Sequence, residues 1–448
     1  MKKYRLFFIL VSLVLLFQSC TPSPNPTGND IITGSQEERS LNTEEGVLSQ
    51  LEAEKPDPTA TLTLIQTPQT DSPPPATAIP SPSPVGPENF PAGINPLTGL
   101  PVENTEYLAV PPALVSIANW PPQVRPQAGL SFSPLVFELY IGEGMTRYLS
   151  LFYGDFPKEA GQSSSSMVTS EASEIGPIRS GRLPYESLRK IYNGFLVMAS
   201  AYSGVSQNLG DYTNVFGKEA NDVNSAMISV TKLADIARSN KARLGDAALT
   251  GMAFDWGVPM GGAPASRFWL MVSYLDQILW KYDPQSGAYH RYQDNADGKT
   301  FVQAVDRLNE QPLTYENVVV LFVNHRYCKE WAFDLDLMYV DRQKALVFRD
   351  GKMYPIYWST KNTQYELETG KVRPIRFVDA NGDPFPLKPG QTWVHIVPLR
   401  TPYWETGDTM DYYRLLNNRE PGSGNWAMRF YNNLMEYDVK VCEQIRPK

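Results

Sequence analysis

Between residues 125 and 182 the sequence places Arg125, Arg147, Arg179 and Arg182, with Glu138, Glu143 and Ser180 among them. Arginine stays charged at physiological pH, and its planar fork suits two-point recognition of a carboxylate or phosphate. In a chain whose 48 acidic residues outnumber its 40 basic ones, for a net charge of -8, such a concentration points to a local anion site. Backbone amides around Gly176 add donors if the following turn opens a helix. Glu138 and Glu143 then have two uses: neutralising spare arginines, or supplying general acid and base as glycoside cleavage requires. The expectation is that these four arginines and two glutamates converge on one partly exposed cleft. The competing reading is an internal network of one-to-one ion pairs that needs no ligand. Carboxylates five apart on one strand point to opposite faces, so pairing Glu138 with Glu143 requires a turn at Gly142.

The other candidates for chemistry fail on spacing. His290, His325 and His395 are dispersed, with no pair four apart, and His325 with Cys328 supplies two of the three or four ligands zinc needs. Asp379, Asn381 and Asp383 begin a calcium-loop pattern, but Pro384 stands at its glycine position and Gly390 at its closing glutamate. A turn built on Asn381-Gly382 explains the same residues. The serine run 163–166 lacks the strand-to-helix setting of a nucleophile elbow. No metal and no other cofactor is expected, and the net negative charge excludes nucleic acid as a partner.

These residues are expected to work outside the cytoplasm. Met1 to Arg5 is basic and Leu6 to Phe17 is an apolar run of signal-peptide length, so residues 1–19 are read as an export signal. Its end, Leu16-Phe17-Gln18-Ser19-Cys20, looks like a bacterial lipobox, which implies cleavage before Cys20 and acylation of its thiol. The expected partner there is the membrane, reached through the lipid on its outer face. Residues 20–90 are rich in proline, threonine and serine and bury too little apolar surface to fold; they form a tether with a limiting reach on the order of 200 Å. Cys328 and Cys442 remain, either as one disulfide or as two separately buried thiols.

The elements that position the arginines are short strands at Ala113–Ile117, Leu135–Ile141 and Arg147–Tyr153, the last two joined by a turn at Gly142 and Gly144. A helix follows at Tyr185–Tyr192, a strand at Phe195–Ala201, and a further helix capped by Thr231. From Phe268 the texture becomes strand and tight turn. The expected fold class is α+β, that is mixed α/β, with an N-terminal mixed-sheet domain over 91–256 and a mainly antiparallel β domain over 257–400. An aromatic extension over 401–448, with a helix at Asn425–Tyr437, is expected to pack on the β domain.

The order of these motifs resembles the YerB-like family of bacterial lipoproteins, defined by a domain of unknown function. The likeness runs through Asn95 to Val102, Arg125 to Ser131, Val136 to Glu138, Glu143 to Tyr148 and Ile175 to Arg182, then Trp280 to Asp283, Asn317 to Val320 and Pro389 to Trp393. Ser133-Pro134 and Met198 to Tyr202 depart from the pattern, the latter replacing a stretch that in relatives often holds a histidine. Any activity relying on that histidine is absent here. The resemblance implies a two-part architecture and an envelope address, and supplies no reaction. Two functions follow as expectations: a module binding an anionic ligand, wall polymer or envelope protein, or an envelope hydrolase or transferase acting on a wall polymer with Glu138 and Glu143 as acid and base.

Overall fold

Asn317–Val323 and Thr392–Pro398 are buried at every position, which marks strands covered on both faces. They pair in parallel at the centre of an eleven-stranded sheet. The computed structural model in which they lie describes residues 83–157, 173–219, 222, 224–329, 332–409, 411–415 and 417–431.

In chain order its principal strands are β1 (Ala113–Ala118), β2 (Leu135–Gly142), β3 (Met145–Phe152), β4 (Phe195–Met198), β5 (Tyr212–Asn214), β6 (Arg267–Ser273), β7 (Asp276–Asp283) and β8 (Ala288–Asp294). There follow β9 (Phe301–Gln303), β10 (Asn317–Val323), β11 (Gln343–Arg349), β12 (Lys352–Ser359), β13 (Arg376–Val378), β14 (Thr392–Pro398), β15 (Tyr403–Glu405) and β16 (Asn425–Arg429). The large sheet runs β13-β12-β11-β10-β14-β2-β3-β1-β4-β5, with the two-residue strand Ala263–Pro264 attached to β12. The second sheet runs β9-β8-β7-β6-β16-β15, with Thr314–Tyr315 attached to β8.

Side-chain alternation sorts the large sheet into two covered faces. Leu114, Phe137, Leu149, Leu196 and Leu321 meet Tyr185, Leu188 and Ile191 of helix α1 (Pro184–Ile191) on one face. Val115, Val136, Tyr148, Val320 and Trp393 meet Phe268, Leu270, Ile278 and Trp280 of the second sheet on the other. Burying a Phe, Leu or Ile of this kind contributes roughly 1.5–3 kcal/mol, so the layer between the sheets is a principal source of stability.

The expected fold class requires correction. Strand accounts for 37% of the structure and helix for 15%, so the fold is mainly β with large mixed sheets rather than α+β in distinct domains. Strand β2, from the first half of the chain, pairs in parallel with β14, from the second, over Leu135↔Thr392 to Glu138↔His395, and the sheet continues across that join. The helix expected from Asn425 is strand β16, paired in parallel with β6 over Arg267↔Asn425 to Met271↔Arg429. Helix α2 (Val230–Leu244) is capped by Ser229, whose hydroxyl accepts from the amide of Lys232, and not by Thr231. The export signal, Cys20, the tether up to residue 82 and Cys442 lie outside the described residues, as does the side chain of Cys328.

Candidate functional site

Strands β1 and β4 pair in parallel only over Ala113–Val115 and Phe195–Val197. Beyond that they separate, and residues 177–181 enter between them. Ala118 N donates to Pro177 O and Arg179 N to Ser116 O on one side; Ala199 N donates to Arg179 O and Gly181 N to Ser200 O on the other, all at 2.8–2.9 Å. The segment passes this gap because Gly181 has no side chain: a Cβ there would lie 2.3 Å from Met198 Sδ and 2.8 Å from Leu209 Cδ1. Helix α1 then begins at Pro184. Arg179, Ser180 and Arg182 are thus fixed by backbone bonds at the carboxyl end of a parallel strand pair, the position at which open sheets of parallel strands place their ligands.

Arg147 reaches the same place from β3, where it sits opposite Ala118. Its Nη1 donates to Ser180 O at 3.0 Å, and Arg182 Nη1 donates to Gly181 O at 3.0 Å and to Ser180 O at 3.5 Å. The Ser116 hydroxyl stands 3.2 Å from Tyr185 OH at the edge of the group. Among the described residues none of the three arginines has a carboxylate partner, whereas Arg189, Arg291, Arg349 and Arg373 are all paired. Arg147 Nε and Arg179 Nε are buried without a hydrogen-bond partner. Burial, together with the like charges of Arg182 and Arg179, pushes Arg147 down to about 9. Burial also lowers Arg179 and Arg182 from the ordinary guanidinium value. Such a group of cations favours an anion that completes their coordination.

The other expected members lie elsewhere. In the β2–β3 hairpin Glu138 stands opposite Tyr148, and Leu139 opposite Arg147, so Glu138 and Arg147 project from opposite faces of the sheet. Glu143 occupies the exposed turn, where it and Gly144 take φ of 53° and 75°, the left-handed pair that a two-residue hairpin favours. Arg125 turns toward the second sheet, donating to Asn119 O at 3.2 Å and Asp294 O at 2.8 Å. The expectation of a single cleft is therefore corrected: the shifted register of β2 on β3 puts Glu138 on the face opposite Arg147, and Arg125 is drawn to the second sheet by its bond to Asp294 O, while Arg147, Arg179 and Arg182 stay together.

That layer contains a polar cluster that sequence reasoning missed. Glu138, 2% exposed, accepts from Thr146 Oγ1 at 2.7 Å, Trp393 Nε1 at 2.9 Å and Arg291 Nη2 at 3.2 Å. The guanidinium of Arg291 lies 4.4 Å from the centre of the Trp393 ring and also donates to Tyr148 OH at 2.8 Å. His395 accepts from Trp280 Nε1 at 2.9 Å, and burial beside Arg291 holds it neutral, well below the usual imidazole range. Asp276 accepts from Thr146 N at 2.8 Å; burial first, then the neighbouring Glu138 carboxylate, push it up to about 7. Such a cluster specifies how the sheets dock. The available signal was in β8, where Tyr289, Arg291 and Gln293 alternate with half-buried neighbours and put an arginine on an inward face.

Two family profiles match the chain in succession, each described as a protein of unknown function (DUF3048): the N-terminal domain over residues 97–242 and the C-terminal domain over residues 270–394. A Bacillus subtilis (strain 168) protein named "Putative lipoprotein YerB" is 24% identical over 326 residues, which is 68% of this chain and 86% of that protein. The crystal structure of the YerB protein from Bacillus subtilis aligns with a TM-score of 0.51 and 21% identity, covering 68% of this chain and 96% of that one, and supports the fold.

Proposed function

The chain belongs to the DUF3048 family, both of whose domains it carries, and we propose that it acts as a lipid-anchored envelope module that captures an anionic ligand. The observation that carries this reading is that Arg147 and Arg182 donate to the carbonyls of residues 180 and 181 with Arg179 close enough to repel Arg147, and no carboxylate among the described residues balances them. Three cations held by a rigid backbone segment at the end of a parallel strand pair cost stability unless a ligand uses them. The ligand is a carboxylate or phosphate, free or borne by a wall polymer or an envelope protein. Cys20 carries the lipid and the segment from there to about residue 82 forms the tether, which lets the site sample a shell above the membrane.

The hydrolytic alternative has no support in the geometry. Both oxygens of Glu138 are occupied by Thr146, Trp393 and Arg291 in a layer closed to solvent, and Glu143 is on a hairpin tip. The test is retention on isolated cell-wall fractions of the wild-type protein and of Arg179→Ala, in which the half-buried arginine is removed with little effect on packing. Retention of the wild type and its loss in the variant support the reading; equal retention of both counts against it.

A further inference from the structure

The turn joining Phe254 to Ala263 carries no charged residue after Asp255 and exposes Trp256, Val258 and Met260, which are 43%, 52% and 98% accessible. Exposed apolar side chains need no explanation singly, but three at alternate positions of one short turn do. The turn is held from beneath. Arg349, itself completely buried, donates through Nη2 to Asp255 O at 3.0 Å and Gly257 O at 2.9 Å. Tyr354 OH donates to Pro259 O at 3.0 Å, and Gly257 N to Asp255 Oδ1 at 2.9 Å. The carbonyls are drawn inward, so the apolar side chains stay outward.

The described chain begins at the base of this turn. Val85 exchanges both backbone hydrogen bonds with Phe254 at 2.9 Å, and Gly251 N donates to Pro87 O at 2.6 Å. The segment arriving from Cys20 therefore joins the fold beside the exposed tip.

We propose that the Trp256–Met260 tip inserts into the interfacial zone of the lipid bilayer, a second and non-covalent contact with the surface to which Cys20 is anchored. The inference rests on the lipid-anchor part of the proposed function. A tryptophan beside aliphatic groups suits the boundary between headgroups and acyl chains. The tip has no basic residue, and the charges at its two ends, Asp255 and Lys352, whose Nζ donates to Gly261 O at 3.5 Å, are opposite, so attraction comes from apolar burial and is insensitive to lipid charge. Such insertion brings the fold down from the full reach of its tether.

The experiment uses the acylated protein reconstituted in phosphatidylcholine vesicles, with and without acyl-brominated phosphatidylcholine as a quencher of tryptophan emission. The wild type is expected to float with the vesicles and lose about one-ninth of its emission, the share of one tryptophan in nine. Trp256→Phe is expected to float equally and lose none. Met260→Asp, with an unchanged circular dichroism spectrum, is expected to show reduced quenching, and added phosphatidylglycerol to change nothing. Flotation with no quenching in the wild type, or with equal quenching in Trp256→Phe, overturns the tip contact while leaving the anchor intact. Failure of every form to float overturns the anchor, and the tip contact with it.

Discussion

Replacing Arg147 by methionine should make the protein more stable, the opposite of what removing a buried side chain with a hydrogen bond ordinarily does. Burial and the charges of Arg182 and Arg179 hold this guanidinium at about 9, well below the ordinary guanidinium value. At about 1.4 kcal/mol per pH unit, keeping it charged in place at neutral pH costs about 5 kcal/mol. Its hydrogen bond to Ser180 O offsets roughly 1.5–3 kcal/mol of that. Methionine has a similar length and no charge, so Arg147→Met is expected to gain about 2–3 kcal/mol. A cation whose value is depressed on folding destabilises fully below its folded value, and the penalty begins to fall as pH rises past it, disappearing only toward the unfolded value. The variant's advantage is therefore constant near pH 7 and shrinks above about pH 9. Urea unfolding at both pH values measures this as a higher midpoint with an unchanged slope. A midpoint lower than wild type at neutral pH would show that Arg147 supports the fold and would refute the reasoning.

Three further outcomes are expected. Glu138→Ala strands Arg291 in the layer between the sheets and should cost about 3–5 kcal/mol, whereas Glu138→Leu combined with Arg291→Met should cost much less than the sum of the two single changes; additive costs in urea unfolding would dissolve the claimed pair. Asp276, an acid whose value is raised on folding to about 7, is destabilising above that value and neutral in effect below its unfolded value of 3.8. Asp276→Asn should therefore gain stability relative to wild type as pH rises from 4 to 8, and a pH-independent difference would contradict the assignment. Cys20→Ala should leave the membrane fraction or remain unprocessed on a gel, and a processed, membrane-bound variant would remove the anchor.

How far the structure could be read in advance depended on the range of the contacts involved. The β2–β3 hairpin and helix α1 were legible because the glycines at 142 and 144 and the apolar spacing from Tyr185 act within a few residues. The union of β2 with β14 was not, because nothing near Leu135 specifies a partner some 250 residues later. The stretch from Asn425 shows the same limit: its short apolar pattern suits helix or strand, and the exposed edge of β6 decides the matter. For the candidate site, the arginines at 179 and 182 were close in sequence, and Arg147 joined them through strand pairing. Glu138 was misplaced because a regular two-residue turn at Glu143-Gly144 would set it opposite Leu149, on the face of Arg147, whereas an irregularity in β2 between Tyr140 and Gly142 shifts its partner to Tyr148. Arg291 and Asp276, which accompany Glu138, came from strands whose docking no local pattern reveals.

The central claim is that Arg147, Arg179 and Arg182 form a site for an anion, and calorimetric titration with inorganic pyrophosphate and with citrate tests it most directly. One phosphate and one carboxylate probe cover the ligand classes that guanidinium groups recognise. The wild type should bind at least one of them saturably, with one site per chain and weakening as salt is added. Arg179→Ala should bind it at least about tenfold more weakly, a loss of about 1.4 kcal/mol or more. No saturable heat with either probe, or equal affinity in Arg179→Ala, would contradict the claim.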